Sequence, residues 1–382
     1  MGAPKKKINK TNIFALCFLI LILIRPAILL YQNREPFFYR NYQYEPLKRA
    51  YETSQYVTKI NPGIIPDQTM EAYAGGALIR GANPILVLSD QPPLGLYLIG
   101  LSIIIFDNAI TTSIILLGLS AFGVFLIAKA SLKNSLLALV PLAVFLNEPL
   151  FLNTAVNLPL IEPIQLPFII FALYFFIRAN RSKNYTRWFI LVSVMLGAVI
   201  STRFFILGAF LLLAFIAYLL LERDIRKIFA FVLTLPISLA VLIASYFKTI
   251  MDGYALLSVF SIQKYIYTYH KSEIGIILSF WDLLIFNRWH TWWADRAISS
   301  DVQWIIAWPI STILSILFFL EKILKKKLEN ADKIILFWII SYCALLSVGN
   351  VSVRYFMPLL PFIYIIATKA LYESARKYII RK

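Results

Sequence analysis

Residues 66–97, PDQTMEAYAGGALIRGANPILVLSDQPPLGLY, place two carboxylates, Asp67 and Asp90, shortly after the first strongly apolar run of the chain. A protein that crosses a bilayer many times has little structural need for acidic groups beside its membrane face. An enzyme acting on a lipid-linked phosphate does need them. Each residue also has a plainer reading. Asp67 follows Ile-Pro and precedes a helical run from Gln68 to Arg80, the place of an N-cap. Asp90 precedes Pro92-Pro93, where a turn or cap residue is expected.

Three more charges stand out against apolar surroundings. Glu162 lies between Pro159 and Pro163, Arg203 interrupts the apolar stretch 188–221, and Arg354 opens the last apolar run in SVRYFMPLLPF. Ionisable groups at such positions default to functional candidates. Arg203 also reads as one half of a pair that holds helices together, and Arg354 as a snorkelling side chain. Taken together, three carboxylates and two guanidiniums suit transfer from a phosphate-linked donor. A carboxylate takes the proton of an acceptor hydroxyl, while arginine, or a divalent metal held by carboxylate oxygens, stabilises the departing phosphate. A second segment, FNRWHTWWADRAISSD over 286–301, adds candidates for substrate contact. Trp289, Trp292 and Trp293 suit either sugar stacking or interfacial anchoring, and His290, Asp295 and Arg296 suit acceptor or phosphate contact.

These residues need elements to hold them. The chain has 382 residues, 60% of them hydrophobic and 15% charged, with a mean hydropathy of +0.74. Several runs reach the ~20 residues that span a bilayer, so the sequence describes an all-α polytopic membrane protein forming a single integral membrane domain over 1–382. The net charge of +17 is not a nucleic-acid signature. Basic residues gather in short breaks between apolar runs, at Lys5 to Lys10, Lys129 and Lys133, Arg178 to Arg187, Arg223 to Lys227, Lys322 to Lys333 and Arg376 to Lys382. That is the positive-inside pattern. It predicts a cell (plasma or inner) membrane protein with both termini cytoplasmic. The run Ile13 to Leu30 has no small-residue cleavage site after it and reads as an uncleaved first helix. Cys17 and Cys343 lie in apolar spans and imply no disulfide.

With the basic breaks inside, the first outer loop covers 32–91 and the second 248–303. Spans are expected at 109–130, 135–152, 164–177, two within 188–221, 228–247, 304–320, 334–350 and 355–371, giving about ten or eleven helices. The outer loop after 135–152 lies around Asn153 to Glu162, and Arg203 marks the outer turn of the 188–221 pair. Residues 93–106 are short for a span, and counting them as a crossing inverts every later one. They read as tilted, re-entrant or interfacial. The tyrosines of the first loop (31, 39, 42, 44, 51 and 56) suit the membrane interface and one or two surface helices. Two histidines are too few for a convincing zinc site or nucleophile–base pair. No phosphate loop or dinucleotide fingerprint occurs, which disfavours nucleotide-driven transport and nucleotide-sugar chemistry.

The order Asp67, Tyr73, Ala74, Gly81, Pro84, Asp90, Pro92-Pro93 and Tyr97 resembles the first outer loop of the GT-C membrane glycosyltransferases. The likeness is to the protein O-mannosyltransferase, aminoarabinose transferase and RgtA/B/C/D-like group. Glu162 stands where that family often has a second acidic residue. Arg203 stands where it often has Lys or Arg, and Arg354-Tyr355 with Pro358 and Pro361 is similar to its C-terminal Arg-Tyr element. The topology resembles the family over nearly the whole chain, the specific motif over about thirty residues. Gln68, where many relatives have a second acid, and Gln91, where lipid A relatives carry a basic residue, depart from the pattern.

The resemblance implies an inverting enzyme that uses a polyprenyl-phosphate sugar on the extracytoplasmic side. Asp67 is the implied catalytic carboxylate, assisted by Asp90 and Glu162, with Arg203 and Arg354 on the donor phosphate. Tyr73, Trp292, Trp293, His290 and Arg296 are candidates for substrate or acceptor contact, and the acceptor is a lipid, glycan or protein hydroxyl. A divalent metal is open. The rival readings are a lipid-linked glycan transporter or flippase, and a glycan polymerase or ligase. A translocation path would place its charges inside helices, and a polymerase would carry several arginines in its late outer loop, where 248–303 holds only Arg288 and Arg296.

Overall fold

Long runs of Leu, Ile, Val and Phe with few charges can satisfy their backbone in lipid only as helices. The computed structural model describes residues 10–34, 42–60, 62–271, 276–291, 297–349 and 351–381. Among them, eight helices are long and apolar enough to cross a membrane: α1 (Ile13–Gln32 of Lys10–Gln32), α6 (Thr111–Leu132), α9 (Ile161–Arg181), α10 (Tyr185–Thr202), α11 (Phe205–Glu222), α12 (Ile225–Ser245), α16 (Ala307–Leu324) and α17 (Asn330–Val348). A ninth apolar segment is bent by 54° into α7 (Leu139–Asn147) and α8 (Pro149–Asn157). The last helix, α18 (Leu360–Arg381), is apolar in its first half and charged in its second. Shorter helices lie between: α2 (Tyr44–Glu52), α3 (Asp67–Leu78), α4 (Pro84–Val87), α5 (Leu94–Phe106), α13 (Phe247–Met251), α14 (Ser258–Lys271) and α15 (Ser279–Phe286). A 3₁₀ turn, Val353–Phe356, carries Arg354 just ahead of α18, and a hairpin of two two-residue strands, β1 (Trp289–His290) and β2 (Ile298–Ser299), completes the described elements.

The core is built around α9, with α6 and α10 against it and α12 on α10. Close approach needs small residues. A side chain at Gly123 would collide with Ile170 of α9, and one at Gly197 with Val241 and the Ser238 backbone of α12. Hydroxyls join the helices as well: Ser193 donates to Thr234 at 2.9 Å and Ser238 to the Ser193 carbonyl at 2.7 Å. Such bonds are worth about 0.6 kcal/mol each inside a membrane.

The interhelical contacts define two ends of the bundle. Ile161, Thr202 and Gly95 meet at one, where the chain also passes through Arg203 and Arg354. At the other, Arg181 donates to the Ala130 carbonyl, Lys333 pairs with Glu222 and Lys369 reaches Ser131. Both ends of α5 are tied to the first end. Gly95 abuts Ile161 and Thr202, Ser102 accepts from the Thr112 N–H at the start of α6, and the Asp107 carbonyl accepts from Tyr42. Residues 94–106 therefore return to the side from which they start and do not invert the topology.

Two expectations change. The expected span 135–152 is not one straight helix. Pro149 has no N–H to continue the ladder, and the chain breaks at Glu148, which is buried and accepts from Trp308 Nε1 at 2.6 Å and from the Tyr364 hydroxyl. The carbonyl of Asn147, freed by the break, accepts from Arg25 of α1, so an arginine inside the first span has a structural partner. The loop expected around Asn153 to Glu162 is also shorter: α8 runs to Asn157, α9 begins at Ile161, and Glu162 lies in its first turn.

Candidate functional site

Helix α3 starts after Pro66, which occupies the N-cap position with extended backbone, so Asp67 is the first helical residue. Its carboxylate does not close the helix end. It accepts from Arg354 through Oδ2 and from the Tyr56 hydroxyl through Oδ1 at 3.4 Å. The N-cap reading of Asp67 gives way because the guanidinium arriving from residue 354 claims that oxygen, and a charge-assisted bond is about twice as strong as a neutral one.

Four residues later on the same face, Glu71 is buried, and its Oε2 accepts from the Ile161 N–H at 2.9 Å. This bond ties α3 to the start of α9. It also sets Glu162 beside the cluster: Oε1 of Glu162 meets Arg354 Nε at 3.0 Å and Arg203 Nη1 more closely still. Arg203, in the sharp turn between α10 and α11, donates from Nη2 to the Tyr355 hydroxyl at 3.3 Å and lies 4.9 Å from the centre of that ring. Tyr355 is held in turn, its carbonyl accepting from Tyr342 at 2.8 Å. The result is one chain of charge running Asp67, Arg354, Glu162, Arg203, assembled from four separate parts of the sequence.

Exposure separates the roles. The side chain of Asp67 is 36% exposed, those of Arg203 and Arg354 are 21%, and that of Glu162 is only 6%. Glu162 is sealed beneath the guanidiniums and Asp67 is partly open. Each guanidinium has five N–H groups; one donates a hydrogen bond, to Asp67 from Arg354 and to Tyr355 from Arg203, and another nitrogen of each forms an ion pair with Glu162. The carboxylates beside Arg203 and Arg354 hold both firmly protonated despite their burial.

Glu71 was not evident as a site residue from sequence. Burial pushes its carboxyl well above the ordinary carboxylate range, and the charge of Glu162 pushes it further, against the pull of Arg354 and Arg203. With Glu71 neutral, two carboxylates face two guanidiniums. A raised native value means that the unfolded chain releases this proton first as pH rises, so stability declines above the ordinary titration near 4.5. The decline is at most about 1.4 kcal/mol per pH unit. Glu71→Gln keeps an oxygen for the Ile161 N–H and removes the titration. The variant's thermal midpoint should fall less between about pH 5 and pH 8 than the wild type's. Parallel curves would show that Glu71 is not held protonated.

The other candidates lie at varying removes. Asp90 is half-buried near Tyr51 and Tyr56. Burial raises the Tyr56 hydroxyl most, then the charge of Asp67, then that of Asp90, so the charges of both aspartates reach it. Tyr73 is 8% exposed and stacked between Tyr44, at 5.8 Å, and Tyr51, at 4.5 Å. Tyr73 is thus part of a tyrosine stack beside the cluster. His290 is half-buried in the hairpin, opposite Ile298, with Trp289 buried beneath. Trp292, Trp293, Asp295 and Arg296 lie outside the described residues. From α14, Tyr267 packs against Phe204 and Phe205, directly after Arg203.

A divalent cation held by carboxylates needs several oxygen donors directed at one point. Among the described residues no group of three His, Cys, Asp or Glu side chains is assembled for one. The oxygens of Asp67 and Glu162 instead face guanidiniums, which supply the positive charge here.

Comparisons with known proteins agree with this architecture. Residues 90–247 match the family model described as dolichyl-phosphate-mannose-protein mannosyltransferase. No curated protein matches the sequence. Among solved structures, ArnT from Cupriavidus metallidurans bound to undecaprenyl phosphate aligns with a TM-score of 0.63 at 14% identity, over 93% of this chain and 60% of that one. The Archaeoglobus fulgidus oligosaccharyltransferase in its apo form gives 0.56 at 11%, over 96% and 52%. AglB from Archaeoglobus fulgidus, in complex with an inhibitory peptide and a dolichol-phosphate, gives 0.57 at 12%, over 97% and 51%. The chain thus spans between half and three-fifths of the length of these structures, and what it shares with them is the GT-C fold of membrane glycosyltransferases.

Proposed function

We propose that this protein is a glycosyltransferase that moves a sugar from a polyprenyl-phosphate donor to an acceptor hydroxyl on the extracytoplasmic face, with inversion at the anomeric carbon. The observation that carries the reading is the Asp67–Arg354–Glu162–Arg203 chain at one end of a GT-C bundle, with its outermost carboxylate accessible. Solved structures of this fold hold undecaprenyl phosphate and a dolichol-phosphate, the class of leaving group that two partly exposed arginines would stabilise.

The chemistry follows from the contacts. Before a donor arrives, Asp67 and Arg354 occupy one another. A donor phosphate bound to Arg354 and Arg203 competes for the N–H that Asp67 holds, which frees the carboxylate as general base. Asp67 takes the proton of the acceptor hydroxyl as its oxygen attacks the anomeric carbon. The bond from that carbon to the phosphate oxygen breaks, and its electron pair leaves on the polyprenyl phosphate beside the guanidiniums. Glu162 stays buried and fixes both arginines. Asp90 acts at the rim through Tyr56.

The test is to give the purified protein a panel of polyprenyl-phosphate sugars with candidate acceptors and to follow the release of polyprenyl phosphate. Turnover of one donor is the expected result and names the sugar. Binding of the donors with no turnover of any would move the lipid-linked glycan transporter ahead.

A further inference from the structure

The opposite end of the bundle holds a second assembly of charge that glycosyl transfer at Asp67 does not use. Lys369 of α18 is buried, with its side chain only 7% exposed. Its ammonium pairs with Asp332 at 2.7 Å and Glu329 at 3.4 Å, and donates to the Ser131 carbonyl at 3.0 Å. Ser131 donates to the other oxygen of Asp332 at 2.6 Å. This knot joins α6, α17 and α18 and forms one wall of a cavity of about 550 Å³, within the ~300–1,000 Å³ range of ligand sites.

Four cations line the cavity, Lys133, Lys369, Arg376 and Lys377, against two carboxylates, Glu329 and Glu373, a surplus of two positive charges. Lys133 pairs with Glu329 at 2.8 Å, Glu373 with Lys322 and Lys377 with Glu321. Arg376 has no acidic partner among the described residues. Structural pairing therefore accounts for Lys133 and Lys369, holds Lys377 only through an exposed pair with a carboxylate that Lys325 shares, and leaves the Arg376 guanidinium at the mouth. Leu132 and Tyr372 supply an apolar flank. Basic pockets between transmembrane helices at a membrane surface are suited to lipid phosphates, and guanidinium is the side chain best matched to phosphate geometry.

We propose that this cavity binds a phosphate group, with an anionic membrane phospholipid as its source, Arg376 and Lys377 contacting the phosphate and Lys369 holding the wall behind it. The site lies at the opposite end of the bundle from Glu162 and Arg354, on α6, α17 and α18, so its test stands or falls apart from the transferase reading.

The full-length protein in neutral detergent would be titrated with dioleoyl phosphatidylglycerol or dioleoyl phosphatidylcholine, and retained lipid counted by native mass spectrometry. Saturable retention of phosphatidylglycerol over phosphatidylcholine is expected, weakened at least about tenfold in the double variant Arg376→Gln/Lys377→Gln. Both side chains are exposed, so the variant should fold. Glycerol 3-phosphate separates the sources: competition at millimolar concentration would identify a soluble phosphate in the same site, and no competition the lipid. Lys183→Gln/Arg226→Gln removes equal charge from exposed positions outside the cavity and should change nothing. Unchanged retention in the first double variant, or equal losses in both, would overturn the site.

Discussion

Replacing Asp67 by Asn should cut release of polyprenyl phosphate by about 10²–10⁴-fold, the range contributed by a positioned general base, while leaving the fold intact. Asparagine keeps the size of the side chain and an oxygen that can accept from Tyr56 and Arg354, but it cannot take a proton from the acceptor. Because Asp67 is 36% exposed, its ion pair with Arg354 is partly screened and should contribute no more than about 1 kcal/mol to stability. The variant should therefore melt near the wild type and still bind the donor. Single-turnover measurement with saturating donor isolates the chemical step. A variant that turns over at the wild-type rate would keep the enzyme and remove Asp67 from its mechanism.

Glu162→Gln should show the opposite balance. Glu162 is sealed, and its Oε1 faces both Arg203 and Arg354. Removing its charge leaves two guanidiniums with half of their compensation in a poorly hydrated place. Breaking a buried pair from one side costs about 3–5 kcal/mol, and the partial exposure of the arginines places this site near the lower figure. The loss of stability would be read from denaturant unfolding in detergent. The donor KM should rise as well, because the carboxylate that aims both arginines is gone. A Glu162→Gln protein with wild-type stability and wild-type KM would mean that the guanidiniums are positioned by something else.

The sequence exposed more of this site than its scatter along the chain would suggest. Asp67 and Arg354 are 287 residues apart, yet each could be picked out because a charge amid apolar residues at a helix end is costly and must be compensated. Such a signal marks a residue and leaves its partner open, so the pairing of Arg203 with Glu162, and the bridge that Arg354 makes between Glu162 and Asp67, needed the fold. Glu71 leaves a weaker signal: it follows Asp67 by four positions in a helix and must share its face. Its surroundings, EAYAGGAL, do not read as buried, because small residues carry little hydropathy. They are buried because Gly75 and Gly100 let α3 and α5 approach until a side chain on either would collide.

The spans followed from the apolar runs, and the short segment 93–106 was legible as an exception by parity alone. The break at Glu148 was not, because its sequence, FLNEPLFL, is apolar enough on both sides to pass as one helix. What divides it is local, a proline that cannot extend the ladder, together with two distant donors, Trp308 and Tyr364, that make a buried carboxyl tolerable. Tyr73 was legible as a residue and not in its surroundings, because the stack with Tyr44 and Tyr51 brings together residues more than twenty positions apart.

The most direct test of the account is the affinity of the purified protein for polyprenyl phosphate, the product whose charge the arginines are assigned to hold, compared between the wild type, Arg354→Gln and Arg178→Gln. Arg178 lies toward the far end of α9. Arg354→Gln should bind at least about tenfold more weakly, the equivalent of one charge-assisted hydrogen bond, and Arg178→Gln should match the wild type. Equal affinity in all three would contradict the assignment of this cluster as the phosphate end of a donor site.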